Sequence, residues 1–330
     1  MRKIILIFLI LPLCSLCQAQ TIRGKILDQS TDSTINFASV YFNGTLSGTL
    51  TDKNGYFELD ISKYLSMPLT ISALGYYSVN LSDFSHDKPL SIYLTRKVFE
   101  LKEVFVKAKG YAQERRTNIR LFKQQFLGKT LNASKCEIIN MNDIVFTYDA
   151  NDETLKAFSS SPIQIDNKAL GYKITYYLDK FEYCVTTQSL IMIGNYIFQE
   201  NAGADKKQNE TFEKRRRSAY LGSRMHFFRS LWEKELDLDG FTIANAYGTP
   251  ALFLKMQKDS VTKYLKYRGN LVINYFQKSH GTVIYMMQDS VCFDKQGYFD
   301  PLGISWTGEM ARQRIADLLP YDYSMKKTAY

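Results

Sequence analysis

Histidine is scarce in this 330-residue chain: only His86, His226 and His280 are present. A zinc peptidase needs an H-x-x-E pair and a further distant ligand. Three positions after these histidines stand Pro89, Arg229 and Val283, so zinc carboxypeptidase chemistry is excluded, and neither a metal nor a cofactor is expected. The G-x-S-x-G signature of a hydrolase nucleophile is also absent. Cysteine is equally thin. Cys136, Cys184 and Cys292 are the only ones after residue 20. They lack metal-site spacing, and an odd number leaves at least one unpaired within the chain, which rules out a dense disulfide framework. After the N-terminal segment no apolar run approaches the length of a membrane-spanning helix. There is no internal repeat and no low-complexity tract.

The N-terminal segment has a recognisable order. Arg2 and Lys3 precede an apolar run from Ile4 to Leu13, broken only by Pro12, and "CSLCQAQ" follows. This is the layout of a secretory signal peptide, too short to span a bilayer. Cleavage is expected after Ala19. Cys14 and Cys17 each follow a leucine where a lipidation signal calls for a small residue. The formal charge is +9, of which Arg2 and Lys3 supply two, leaving +7. The bases are scattered except for Lys214-Arg215-Arg216-Arg217, which reads as a solvated helix face. No nucleic-acid partner is expected of an exported chain.

Residues 20–108 read as short strands whose one-face residues stand two apart: Ile22, Gly24 and Ile26; Ala38, Val40 and Phe42; Phe57, Leu59 and Ile61; Leu69, Ile71 and Ala73; Tyr77, Val79 and Leu81; Leu90, Ile92 and Leu94. Each set shares one strand face, and the regular spacing points to an antiparallel sandwich. Asn54-Gly55 is a hairpin turn signal. Asp52, Asn54 and Gly55 do not form a calcium loop, because the remaining ligand positions and the distal Glu are missing. Four motifs carry a resemblance: Gly24-Lys25-Ile26-Leu27-Asp28, Ala38-Ser39-Val40, the stretch Gly48 to Phe57, and Gly75-Tyr76. Together they resemble the carboxypeptidase-regulatory-like domain as found in Bacteroidetes envelope proteins. The resemblance implies a transthyretin-like sandwich of seven strands, a carbohydrate-binding-like fold and a non-catalytic accessory role.

"FELKEVFVKAKG", Phe99 to Gly110, is similar to the phrase that closes such a sandwich before a TonB-dependent transporter. Only 222 residues follow Ala108, too few for a plug and a 22-strand barrel at about 10 residues per strand. The expected organisation is therefore a signal peptide at 1–19, the sandwich at 20–108, a linker and helix at 109–128, and an α+β domain at 129–330. Strands are expected at 136–139, 144–148, 155–158, 173–178, 181–186, 191–198, 241–246, 252–256, 271–276, 282–287 and 290–293. Helices are expected over 223–236, with Met225, Phe228, Leu231, Trp232 and Leu236 as the apolar stripe, and over 307–319, stopped by Pro320. "FLGKTLNASKCEIIN", "LGYKITYYL", "RRRSAYLGSRMHFFRSL" and "ARQRIADLLPYDY" resemble segments of Bacteroidetes proteins that carry the same N-terminal domain. That likeness implies two domains and supplies no catalytic residue.

Functional residues are sought in "AYLGSRMHFFRSL". Ser223 opens a helix, and as N-cap its hydroxyl would accept the N–H near His226. His226 and Arg229 would continue a polar stripe. Arg217, Tyr220, Ser223, Arg224, His226 and Arg229 form a candidate ligand site, with an anion pocket at the helix start as one form of it. Aromatics make up 14% of the chain, with 23 tyrosines. Within "TYYLDKFEY" alternation separates Tyr176 from Tyr177, so one row is expected at the surface. Asp32-Ser33-Thr34, Asp259-Ser260-Val261 and Asp289-Ser290-Val291 are similar to Bacteroidetes O-glycosylation acceptors. The expected function is an exported, non-enzymatic envelope protein that binds a protein or glycan partner, periplasmic or peripherally attached to the outer membrane. The alternatives are a hydrolase centred on Ser223–Arg229 and a small outer-membrane barrel. Oligomeric state is not legible.

Overall fold

The computed structural model describes residues 20–85, 88–97, 111–201, 203, 205–245, 247–248, 255–258, 261–276 and 281–325. The expected signal segment, Phe99–Gly110, His86, His280, Asp259 and Ser260 lie outside the described residues.

Seven strands come first: β1 (Thr21–Asp28), β2 (Ser39–Phe42), β3 (Gly48–Leu50), β4 (Tyr56–Asp60), β5 (Leu69–Ser72), β6 (Val79–Leu81) and β7 (Leu90–Leu94). They form two sheets, β4-β1-β7 and β3-β2-β5-β6. The alternating residues do what their spacing requires: Ile22, Ile26, Val40, Phe57, Leu59, Ile71, Ile92 and Leu94 meet in one buried core. The seven-strand sandwich expected here is present, with two differences. β7 runs parallel to β1, from Gly24↔Leu90 to Asp28↔Leu94. It can do so because the chain crosses from one sheet to the other between β6 and β7, so no tight hairpin forces the strands antiparallel. The Asn54-Gly55 turn forms, with Gly55 at φ 78° and Asp52 Oδ1 accepting the N–H of Asn54 and of Tyr56. It links β3 to β4, which lie in different sheets, and is therefore a corner and not a hairpin.

Asp28 ends β1 fully buried. Its carboxylate accepts from Ser30 Oγ (2.6 Å), Ser30 N (2.8 Å), Tyr76 OH (2.7 Å) and Arg96 Nε (2.6 Å). The Ser30, Tyr76 and Arg96 bonds, in that order, hold it well below the usual carboxylate range.

After α1 (Tyr111–Phe126) come β8 (Cys136–Ile138), β9 (Ile144–Asp149), β10 (Thr154–Ser159), β11 (Ile163–Asn167), β12 (Tyr172–Cys184) and β13 (Leu190–Glu200). β12 and β13 form one long hairpin from Tyr172↔Glu200 to Tyr183↔Leu190. β11 pairs with the first half of β12 and β10 with its last residues, and β8 and β9 flank them. The two strands expected at 173–178 and 181–186 are thus one strand, interrupted by a bulge at Asp179. α1 lies on the inner face, where Phe122 packs against Phe181 and Phe126 against Tyr176.

Then follow α2 (Lys206–Tyr220), α3 (Arg224–Glu233), β14 (Phe241–Asn245), β15 (Lys255–Lys258), β16 (Lys263–Lys266), β17 (Asn270–Tyr275), β18 (Thr282–Met286), β19 (Val291–Phe293) and β20 (Ile304–Gly308). These strands make the sheets β14-β17-β18-β20 and β15-β16-β19. α3 seals them with Phe227, Phe228 and Leu231, in a core separate from that of β8–β13. The α+β portion therefore holds two cores. Among the described residues the sheet orders run open from one edge strand to another, unlike a closed barrel.

The helix expected over 307–319 does not form. Residues 304–308 are β20, and two short 3-10 turns follow at Met310–Arg312 and Ile315–Asp317. The apolar residues serve different cores: Met310 joins that of α3, whereas Ile315, Ala316 and Leu319 join that of β8–β13. A single helical stripe could not face both. No helix of the described residues is long and apolar enough to cross a membrane.

Because Asp28 titrates below its unfolded value, its contribution is complete above about pH 4 and is lost as pH falls further. Asp28→Asn should melt several degrees below wild type at pH 7, and thermal melts should show that gap narrowing towards pH 2.

Candidate functional site

α2 and α3 are joined by a tight corner. Gly222 sits at φ +77°, and a Cβ there would meet Tyr275 Cδ1 at 2.7 Å, so only glycine fits. Ser223 caps α3, its Oγ accepting the N–H of His226 at 3.0 Å.

His226 does not continue a polar stripe. It is 5% exposed, because α3 lies between two cores and buries residues around most of its circumference: Met225, Phe227, Phe228, Ser230 and Leu231 are buried with it. The imidazole packs against the rings of Tyr220 (4.7 Å), Phe241 (4.9 Å) and Tyr275 (5.7 Å). Nδ1 accepts the Gly222 N–H at 3.1 Å, which assigns the ring proton to Nε2, 3.7 Å from Asp239 Oδ2. Burial pushes the imidazole pKa down to about 4; Asp239 opposes that shift and Arg229 adds to it. The uncharged ring makes no bond to Ser223 Oγ, which is occupied as a cap. Ser230 Oγ donates to Asp239 and to the His226 carbonyl, so the carboxylate stands between serine and histidine. The described residues thus hold no activated nucleophile–base pair of the kind a hydrolase centred on Ser223 requires.

The other candidate residues separate. Arg229 donates to three backbone carbonyls, those of Gln296 (2.8 Å), Tyr323 (2.8 Å) and Tyr321 (3.0 Å), and lies over the Tyr220 ring. Tyr220 is buried between His226 and Tyr323. Arg217 sits in the last turn of α2, where its carbonyl accepts from Leu221. The Lys214–Arg217 block is not uniformly solvated. Arg216 donates to the Leu170 and Gly171 carbonyls and to Glu200, and stacks on Tyr172 at 4.1 Å. Arg224 donates Nη2 to the Gln313 carbonyl (2.9 Å) and its backbone N–H to Gln313 Oε1 (3.1 Å).

Tyr176 and Tyr177 are not surface aromatics. Tyr176 is 2% exposed, stacked on Tyr196 and edge-on to Phe126. Tyr177 points to the opposite face, as alternation requires, but that face is covered by the sandwich: its hydroxyl bonds Ser39 Oγ at 2.7 Å and its ring stacks on Tyr41. Nearby, the bulge turns Asp179 towards Lys97 at 3.1 Å. The loop after β2 seals the outer edge of β13, with Gly44 N donating to Tyr196 O (2.8 Å) and Phe198 N to Thr45 O (2.9 Å).

Where these parts meet there is a cavity of about 200 Å³, bordered by Tyr176, Tyr196, Arg224, Tyr298, Arg314 and Tyr321 among others. Of the candidate residues, Tyr176, Ser223 and Arg224 line it. Arg314 was missed, because nothing local distinguishes this base within a segment read as a helix over 307–319. Its side chain instead turns inward and donates to the Gln125, Ala311 and Gln313 carbonyls. Among the described residues no group of three His, Cys, Asp or Glu side chains could hold a metal, and all three described cysteines are free thiols.

The family model described as CarboxypepD_reg-like domain matches residues 22–106. This stretch is therefore a carboxypeptidase-regulatory-like domain, a non-catalytic sandwich. No curated protein matches the sequence. A mutant type II cohesin–X-dockerin complex from Acetivibrio cellulolyticus is similar over 23% of this chain and 57% of its own, at 23% identity and TM-score 0.20. A 9R-lipoxygenase from Cyanothece PCC8801 is similar over 67% of this chain and 48% of its own, at 10% identity and TM-score 0.19. This chain spans less than two thirds of either structure, and likenesses this distant carry neither fold nor activity.

Arg229→Met removes three charge-assisted bonds and strands three carbonyls, so urea unfolding should show a loss of about 3 kcal/mol. For His226 the folded pKa lies below the unfolded one. Its contribution is complete above pH 6.5 and drains away as pH falls towards 4. Melting temperatures measured across that window should fall in wild type and fall less in His226→Gln.

Proposed function

We propose that the protein is an exported, non-enzymatic binding protein of the cell envelope that takes a protein partner on the outward face of the β12–β13 sheet. The N-terminal sequence pattern supports export, and the non-catalytic domain at 22–106 supports an accessory role. The observation that carries the reading is a set of apolar side chains facing outward on β9, β10 and β13. Val145, Phe158, Ile191 and Ile193 are each 45–47% exposed. Val145 and Phe158 are cross-strand partners. Ile191 stands opposite Glu182, and Ile193 opposite Lys180. Between the two apolar pairs runs a charged strip in which Glu182 bridges Lys156 (3.8 Å) and Lys180 (3.2 Å).

Isolated exposed apolar residues need no explanation, but apolar pairs flanking a charged strip have the composition of an interface, in which polar groups set register and apolar groups supply affinity. Three of the four apolar side chains, Val145, Ile191 and Ile193, are aliphatic, which suits a protein partner better than a glycan, for which stacking on aromatic faces is the usual device, and Tyr176 and Tyr177 are withdrawn from the surface.

The test is retention of solubilised envelope components by the purified protein, followed by identification and separate purification of the retained partner. Saturable binding is expected. It should weaken about tenfold or more, as central interface residues do, in the double variant Phe158→Asp, Ile193→Asp, with far-ultraviolet circular dichroism unchanged. Undiminished binding by that variant, or capture by an envelope glycan alone, would overturn the proposal.

A further inference from the structure

The cavity where the three cores meet has an unusual charge arrangement. Arg224 Nη2 and Arg314 Nη1 both donate to the same oxygen, the Gln313 carbonyl, at 2.9 and 3.3 Å. Two like charges therefore face each other across one backbone group in a partly enclosed space. Among the described residues neither forms an ion pair with a carboxylate. Asp317 also borders the cavity, but its oxygens accept from Thr130 and Asn132, and burial pushes its pKa up, which weakens it as a counter-charge. Withdrawing a cation from water costs several kcal/mol unless an anion compensates, and two adjacent cations raise that cost.

A second feature of the same cavity points the same way. Tyr176 and Tyr298 line it, and both are more than nine-tenths buried. Neither hydroxyl has a hydrogen-bond partner in the protein among the described residues, and neither oxygen is sealed from water-sized space as a buried orphan would be. Burial raises the pKa of both phenols, so each keeps its proton and can donate. The cavity thus offers unused guanidinium N–H groups and two neutral hydroxyl donors, and its volume of about 200 Å³ equals that of several waters at about 30 Å³ each.

We propose that this cavity binds a small oxyanion, a carboxylate or a phosphate, between Arg224 and Arg314, with Tyr176 and Tyr298 as further donors. Guanidinium groups match the two-oxygen edge of such anions. Arg224 belongs to α3, Arg314 to the closing segment, Tyr176 to β12 and Tyr298 to the turn after β19, so the anion would join parts of all three cores. This site is separate from the outward sheet face proposed for the partner, and either can fail without the other.

The purified full chain is titrated with phosphate, acetate, succinate and citrate against chloride at matched ionic strength, reading melting temperature and calorimetric heat. At least one oxyanion should bind saturably at one site and raise the melting temperature. A response to phosphate alone, or to carboxylates alone, identifies the chemical source. Affinity should fall about tenfold or more in Arg224→Gln and in Arg314→Gln, the scale of one lost charge-assisted bond, and should be unchanged in the exposed Arg120→Gln. Should the arginine variants fail to fold, side-chain resonances of 15N-arginine-labelled wild type serve instead: those of Arg224 and Arg314 should shift with the oxyanion and not with chloride. No oxyanion distinguishable from chloride, or full affinity in both folded variants, would overturn the proposal.

Discussion

Arg229 projects from the middle of α3 and bonds three backbone carbonyls on two distant segments, and the placement of the C-terminal part of the chain depends on it. One nitrogen holds the turn at Gln296, and two hold Tyr321 and Tyr323. These segments in turn reach the sandwich: Ser66 Oγ donates to Asp294, Gln296 Nε2 to the Lys63 carbonyl, and Tyr321 N to the Gly44 carbonyl. A guanidinium suits this position because its donors are planar, fixed in direction and permanently charged. Irregular segments such as 294–298 and 320–323 have carbonyls with no ladder partner, and the clamp supplies the donors that secondary structure does not.

This pattern recurs and explains why the molecule is not two beads on a linker. Arg216 ties α2 to the Leu170–Gly171 turn, and Arg314 ties the closing segment to the end of α1. The loop after β2 covers the edge of β13, a strand whose open N–H and C=O groups would otherwise invite pairing with another chain. The same arrangement withdraws the reactive-looking residues. Ser223 is used as a cap and His226 as an uncharged member of an aromatic cluster. What stays outside includes the face bearing Phe158 and Ile193, on which the proposed partner would dock.

The sandwich was legible because most of its strands, β1, β4 and β7 above all, have a two-residue period with one face more buried. Ile22, Ile26, Val40 and Ile92 announce their side of the sheet directly. The parallel pairing of β1 and β7 was not, since period says nothing about which strand lies alongside. β12 was divided in two because Asp179 breaks the alternation, and only the pairing register with β13 shows that the break is a bulge. The 307–319 segment has helical spacing, yet its apolar residues are shared between two cores, a demand that no local pattern encodes. The helix α3 and the Ser223 cap were readable; the neighbours of His226 were not, because Phe241 and Tyr275 arrive from strands far along the chain. Arg314 was hidden for the same reason, its role depending on a cavity assembled from segments far apart in the chain.

The sandwich, the β8–β13 body and the α3 body are held as one unit by these cross-links. Native-state amide hydrogen exchange tests it most directly at Gly44, Tyr196, Phe198 and Tyr321, whose N–H groups bond across from one part to another. These amides should exchange together and about as slowly as that of Ile26 inside the sandwich. Exchange at those four amides at the rate of unprotected loops, while Ile26 stays protected, would contradict it.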